Sequence, residues 1–210
     1  MPLFYQQDIN LTTKLGIWKI EEPEDFFLQS VPLQRNITHP HKRLQHLAGR
    51  FLLPFLFPDF PHAEIEIADT RKPFLPDEQY HFSISHCGDY AAAIVSSKER
   101  VGIDIELITQ RIHHIKHKFL HTDELVFVNT HQENHQTGLL TLLWSAKEAM
   151  FKWWGRGDVD FSEVLLTKPF SFTKEGIIPA RFEKEAIDLP LTIHYEMRDG
   201  LSLAWVRSEC

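Results

Sequence analysis

The sequence predicts an α+β fold, on three observations. Three short segments in a row, His81 to His86, Tyr90 to Val95 and Val101 to Leu107, read as strands joined by tight turns, which suggests an antiparallel meander. A second group of strand-like segments follows Phe161 and ends in a hairpin closed by Asp199-Gly200. The long helical patterns lie outside these groups, so strands and helices do not alternate one for one.

In chain order, Gly16 to Ile20 alternates apolar and polar residues and is the expected first strand. Glu22-Pro23-Glu24-Asp25 opens a short helix, with proline and acids in its first turn. A longer helix is expected from a Thr38 cap to about Phe57, with Pro54 kinking it or ending it early. Leu44, Leu47, Phe51 and Leu52 share one face, and Lys42, Arg43, His46 and Arg50 form the polar remainder. Ala63 to Ala68 alternates as another strand, and Thr70-Arg71-Lys72-Pro73 makes a loop.

After Leu107 comes a histidine-rich helix that would place His113, His117 and His121 on one face, either as a solvated surface or as metal ligands. Thr122-Asp123-Glu124 starts the next helix, and Gln132 to Thr137 is a polar link. Leu139 leads into a helix that reaches Trp154 and is ended by Gly155. Phe161 to Thr167, Phe170 to Thr173 and Ile177 to Phe182 are candidate strands, with Glu175-Gly176 as a turn. Leu191 to Met197 and Leu201 to Val206 form the closing hairpin.

Two stretches carry candidate chemistry. In Val101-Gly102-Ile103-Asp104-Ile105-Glu106-Leu107 the period of two sets Asp104 and Glu106 on one strand face, Cα atoms roughly 7 Å apart. At that spacing two unit charges repel by about 2 kcal/mol at an effective dielectric of about 20. Solvent would remove that cost at an open edge; in a cleft a cation must offset it. In Trp144-Ser145-Ala146-Lys147-Glu148-Ala149-Met150-Phe151-Lys152 the residues Trp144, Glu148 and Lys152 share one helix face. Glu148 and Lys152 alone read equally well as ordinary i,i+4 decoration. Carboxylates from separate elements that converge on one point are what a divalent ion takes.

The pair Val-Gly-Ile-Asp-Ile-Glu and Trp-x-x-Lys-Glu-x-x-x-Lys resembles the signature of the 4′-phosphopantetheinyl transferases, of the larger monomeric type that activates surfactin synthetase. Phe82-Ser83-Ile84-Ser85-His86-Cys87-Gly88-Asp89-Tyr90 and, more loosely, Thr70-Arg71-Lys72-Pro73-Phe74-Leu75-Pro76 match further family motifs, in family order, over roughly residues 38 to 160. The resemblance implies two similar α+β subdomains related by a pseudo-twofold, with the active cleft between them. The expected division is 1–102 for the CoA nucleotide and 103–210 for the metal and catalytic helix. The implied reaction moves the phosphopantetheine arm of coenzyme A to a serine of an apo acyl or peptidyl carrier protein and releases adenosine 3′,5′-bisphosphate. Asp104, Glu106 and Glu148 would hold Mg²⁺, and Lys152 would contact the phosphates. A carboxylate near the metal would take the serine proton. Arg43, Arg50, Arg71, Lys72, Ser85 and His86 would bind CoA. Arg71 stands where the family has glycine, which adds charge and removes a flexible backbone position.

The totals are compatible with this. At 210 residues, 43% hydrophobic, the chain holds one domain or two small ones with a real core. Two cysteines, Cys87 and Cys210, make no disulfide framework, and Met1 to Asp8 lacks a secretory pattern, so a cytoplasmic protein is expected; the chain is long enough to supply both halves of the cleft, so a monomer is expected. No apolar run approaches membrane-span length. A net charge of −7 argues against nucleic acid and requires local cations near an anionic substrate. Two other readings use the same residues: a metal-dependent phosphohydrolase, and a non-catalytic CoA- or carrier-binding module.

Overall fold

The computed structural model describes residues 3–33 and 36–209; Cys210, Met1 and Pro2, used above, lie outside them. The fold is α+β and divides into two compact units, one running to Val101 together with Glu209, the other Gly102–Ser208.

Unit 1 begins with β1 (Leu3–Asp8) and β2 (Thr13–Lys19), then α1 (Glu24–Leu28) and α2 (Pro40–Leu56). β3 (Glu66–Ile67) and β4 (Pro73–Phe74) form a two-stranded ribbon; β5 (His81–Cys87) and β6 (Tyr90–Ser96) form a hairpin. The main sheet has the order β1-β2-β6-β5, every pair antiparallel. α2 places Leu47, Leu52, Leu53 and Leu56 in one core with Phe82, Ala93 and Val95 of the sheet.

Several expectations change here. The strand at Gly16 is the second, because β1 precedes it; β1 is partly exposed along its length and shows no strict alternation for pattern reading to find. The α2 cap is His39, whose ring accepts from the Lys42 N–H, and not Thr38. Pro54 sits inside α2 without ending it early, and the ladder resumes with the Phe57 N–H on the Leu53 carbonyl. Ala63 to Ala68 is a 3-10 turn over His62–Glu64 followed by only two strand residues.

β7 (Glu99–Leu107) leads into unit 2. The three-strand meander is corrected: β7 leaves β6 and joins a second sheet of order β7-β11-β10-β9-β8. Between them lie α3 (Ile112–Ile115), α4 (Thr122–Asn129) and α5 (Glu133–Trp154), then β8 (Leu165–Thr167), β9 (Glu175–Lys184), β10 (Ile187–Arg198) and β11 (Leu201–Glu209). The β10–β11 turn uses Asp199 and Gly200, both at positive φ, as the Asp-Gly pair favours. α5 packs Leu142, Ala146, Ala149 and Met150 against Ile178, Phe182, Ile193 and Val206 of the sheet.

In unit 2 the histidine helix is corrected. α3 stops at Ile115, a 3-10 turn follows over Lys116–Lys118, and His121 caps α4, so His113, His117 and His121 do not share a helical face. The expected polar link is the start of α5, which begins at Glu133. Of the two strands expected at 161–173, only Leu165–Thr167 forms; Phe161, Phe170 and Phe172 belong to loops whose rings pack on the α5 core, so their apolarity imitated a strand. Gly176 lies within β9 and is not a turn. Among the described residues no helix is long and apolar enough to cross a membrane.

Candidate active site

The site in unit 2 arises because one face of β7 lies against α5. Gly102 permits the approach: a Cβ there would come within 2.1 Å of the Ala149 carbonyl oxygen and 2.7 Å of the Trp153 nitrogen. Strand periodicity puts Asp104 and Glu106 on the same face as Gly102, so the polar side of β7 meets the helix and not open solvent. The opposite face carries Val101, Ile103 and Ile105, all buried. Asp104 is only 2% exposed.

From α5, Trp144, Glu148 and Lys152 face this row. Lys152 Nζ donates to Asp104 Oδ1 at 2.6 Å. The Trp144 indole N–H donates to Glu106 Oε1 at 3.1 Å. Glu148 lies one turn before Lys152, electrostatically coupled to Asp104. Burial pushes its carboxyl up to about 7; the Asp104 charge pushes the same way and Lys152 opposes. Glu106 is also pushed up to about 7, first by burial and then by Asp104, with Trp144 and Lys152 opposing. Beside Glu106 and Trp144 a cavity of about 310 Å³ opens, lined also by Thr109, Arg111, Ile112 and Ile115.

Three carboxylates form a hard-oxygen donor set of the kind Mg²⁺ takes, and the Asp104 charge disfavours ionisation of both Glu106 and Glu148, a cost a divalent cation would reverse. In donor chemistry the residues therefore fit the ion. Among the described residues no three histidine, cysteine, aspartate or glutamate groups are gathered as a metal-holding cluster. Bringing Asp104, Glu106 and Glu148 onto one ion therefore takes side-chain movement.

The residues expected to bind CoA lie in unit 1. Arg43 is engaged by Glu24, Nη2 to Oε2 at 2.7 Å, and by the Ile37 carbonyl. Arg50 is 4% exposed, so it is not part of the solvated face of α2. Its charge adds to the burial that pushes His62 down to about 4. Arg71 adopts φ 67, the left-handed conformation that suits the family's glycine. Lys72 is pushed down to about 8 by burial and by Arg100. Ser85 and His86 sit on opposite faces of β5, Ser85 buried and His86 exposed.

Sequence reading passed over Arg100 and His81, which are electrostatically coupled to Lys72. It also passed over Lys147, whose side chain is 0% exposed. The signal for Lys147 was present: Leu140, Leu143, Met150 and Phe151 surround it at helical spacing, so its ammonium had to find a buried partner.

The model of the 4′-phosphopantetheinyl transferase superfamily matches residues 100–204, half of the chain. Enterobactin synthase component D of Escherichia coli (strain K12) is 35% identical over 117 residues, covering 53% of this chain and 54% of that protein. The 4′-phosphopantetheinyl transferase gsp of Aneurinibacillus migulanus is 35% identical over 86 residues, 41% of this chain and 35% of that protein. The 4′-phosphopantetheinyl transferase AcpT of Escherichia coli (strain K12) is 31% identical over 114 residues, 53% of this chain and 57% of that protein. The chain spans about half the length, or less, of these curated relatives.

Proposed function

Because the chain belongs to the 4′-phosphopantetheinyl transferase superfamily, we propose that it transfers the phosphopantetheine arm of coenzyme A to a serine of an apo carrier protein. The observation that carries this reading is the coupled set of Asp104, Glu106 and Glu148, with Lys152, where α5 faces β7. The serine oxygen attacks the β-phosphorus of CoA, the bond to the bridging oxygen breaks, and adenosine 3′,5′-bisphosphate leaves.

Magnesium held by Asp104, Glu106 and Glu148 would neutralise the diphosphate and orient the leaving group. Lys152 is a point charge with a side chain 24% exposed, able to serve Asp104 or an incoming phosphate. A Glu148 oxygen left free of the metal would accept the serine proton, directly or through a water. Glu106 has one oxygen engaged by Trp144, which makes it the less apt base. In unit 1, Arg71, Lys72, Ser85 and His86 would bind the nucleotide end of CoA. An anion beside Lys72 would offset the burial that now lowers its pKa to about 8. Arg43 and Arg50 would enter the CoA site only by leaving their present surroundings. The reading takes the protein as a cytoplasmic monomer; sedimentation of the purified chain checks the oligomeric state.

Intact mass spectrometry of a panel of apo carriers, after incubation with CoA and Mg²⁺, tests the proposal. Gain of one phosphopantetheine arm is the expected result and also identifies the carrier. Rapid CoA breakdown with no carrier present would favour a phosphohydrolase. CoA binding without any turnover would leave a binding module.

A further inference from the structure

Two residues of the α5 motif, Trp144 and Lys147, have no part in the chemistry proposed above, yet the structure connects them. The Lys147 ammonium donates to Glu124 Oε2 at 2.6 Å, to the Phe119 carbonyl at 2.6 Å and to the Phe161 carbonyl at 2.9 Å. Three acceptors use all three of its protons. Glu124 is held in turn by the His121 N–H at 2.8 Å and by the Thr167 N–H and hydroxyl, each at 2.7 Å.

The two carbonyls on Lys147 belong to the same residues whose rings enclose Trp144. Phe161 stacks on its indole, centroids 5.6 Å apart and planes 28° apart, and Phe119 meets it edge-on at 5.2 Å. The enclosed indole then donates its only N–H to Glu106. A buried cation thus fixes two backbone segments, the segments fix a ring, and the ring fixes one carboxylate oxygen.

We propose that Trp144 and Lys147 are positioning residues for Glu106, with Lys147 holding the aromatic frame and Trp144 orienting the carboxylate through its indole N–H. What Glu106 does once oriented, binding a divalent ion, rests on the phosphopantetheinyl-transfer reading. The physical reason is general. A glutamate has several rotatable bonds, and a partner on one oxygen removes that freedom while leaving the other oxygen open to a ligand. Loss of such a supporting hydrogen bond typically weakens metal binding about 10–100-fold.

Trp144→Phe is the decisive variant, because it keeps a ring between Phe119 and Phe161 and deletes only the donor. Calorimetric titration of Mg²⁺ into the CoA-free protein should show affinity reduced about 10-fold or more, with metal-free melting close to wild type. A folded Trp144→Phe protein with wild-type Mg²⁺ affinity overturns the proposal. Lys147→Met combined with Glu124→Met, which removes both charges together, should weaken Mg²⁺ binding in the same direction; unchanged affinity removes Lys147 from the assignment. If Trp144→Phe does not fold, the wild-type indole N–H resonance decides: a shift on adding Mg²⁺ supports the link and no shift refutes it. A wild-type protein that binds Mg²⁺ but modifies no carrier sinks the functional reading and leaves this inference standing. A wild-type protein that binds no Mg²⁺ sinks both.

Discussion

Lys152 Nζ lies 2.6 Å from Asp104 Oδ1, joining a cation that is 24% exposed to a carboxylate that is 3% exposed. The asymmetry sets the consequence of breaking the pair. Lys152→Ala leaves a charge under α5 with a partner removed, at a cost at or above the roughly 1–3 kcal/mol of a neutral group, and removes the cation proposed to meet the diphosphate. Chemical denaturation should show that loss. Steady-state kinetics should show kcat/KM for CoA falling by a larger factor than stability alone explains. Unchanged kinetics in a folded Lys152→Ala protein would remove Lys152 from the site.

Asp104→Ala and Glu148→Ala should each abolish carrier modification, by at least about 100-fold, which is within the range assigned to a lost acid–base group. Circular dichroism should show both variants folded, since core packing of α5 on the sheet runs through Ala146, Ala149 and Met150 and not through these carboxylates. Near wild-type modification by either variant, with Mg²⁺ present, defeats the metal assignment.

Glu106 and Glu148 both sit at about 7 in the fold, against an ordinary value of 4.5. Between those values the folded chain holds more protons than the unfolded chain. Their contribution to stability is therefore full below about 4.5 and is lost as pH rises through 7. Glu148→Gln should flatten the fall in melting temperature between pH 5 and pH 8 in the presence of a chelator. Added Mg²⁺ should raise the wild-type melting temperature more at pH 8 than at pH 5. A wild-type chain and a Glu148→Gln variant with identical pH profiles would show that Glu148 does not carry the charge penalty.

Arg71 at φ 67 holds a side chain in a conformation that costs a non-glycine residue on the order of 1 kcal/mol. Arg71→Gly should relieve part of that cost and raise the melting temperature slightly. The same change removes a cation proposed for the CoA nucleotide, so CoA affinity by calorimetry should fall while stability rises. Tighter CoA binding on Arg71→Gly would assign the position to backbone geometry and not to charge.

Much of the fold was legible in the order of residues. Tight turns bounded β5 and β6, alternation marked β7, Asp199-Gly200 marked the last hairpin, and Gly155 marked the end of α5, where it takes φ 72. These are local signals, set by sterics within a few residues. The same spacing rules put Asp104 beside Glu106 and Glu148 beside Lys152.

Only the tertiary structure decided what those side chains face. Alternation cannot say which sheet a strand joins, and β7 joined β11 instead of β6. Periodicity cannot say whether a polar face meets water, and Gly102 let α5 cover the one that carries Asp104. Nor does the apolar spacing around Lys147 say that its buried partner is Glu124, a residue from another helix. Such facts depend on contacts between distant parts of the chain, because burial and charge pairing are properties of the packed neighbourhood and not of the residue alone.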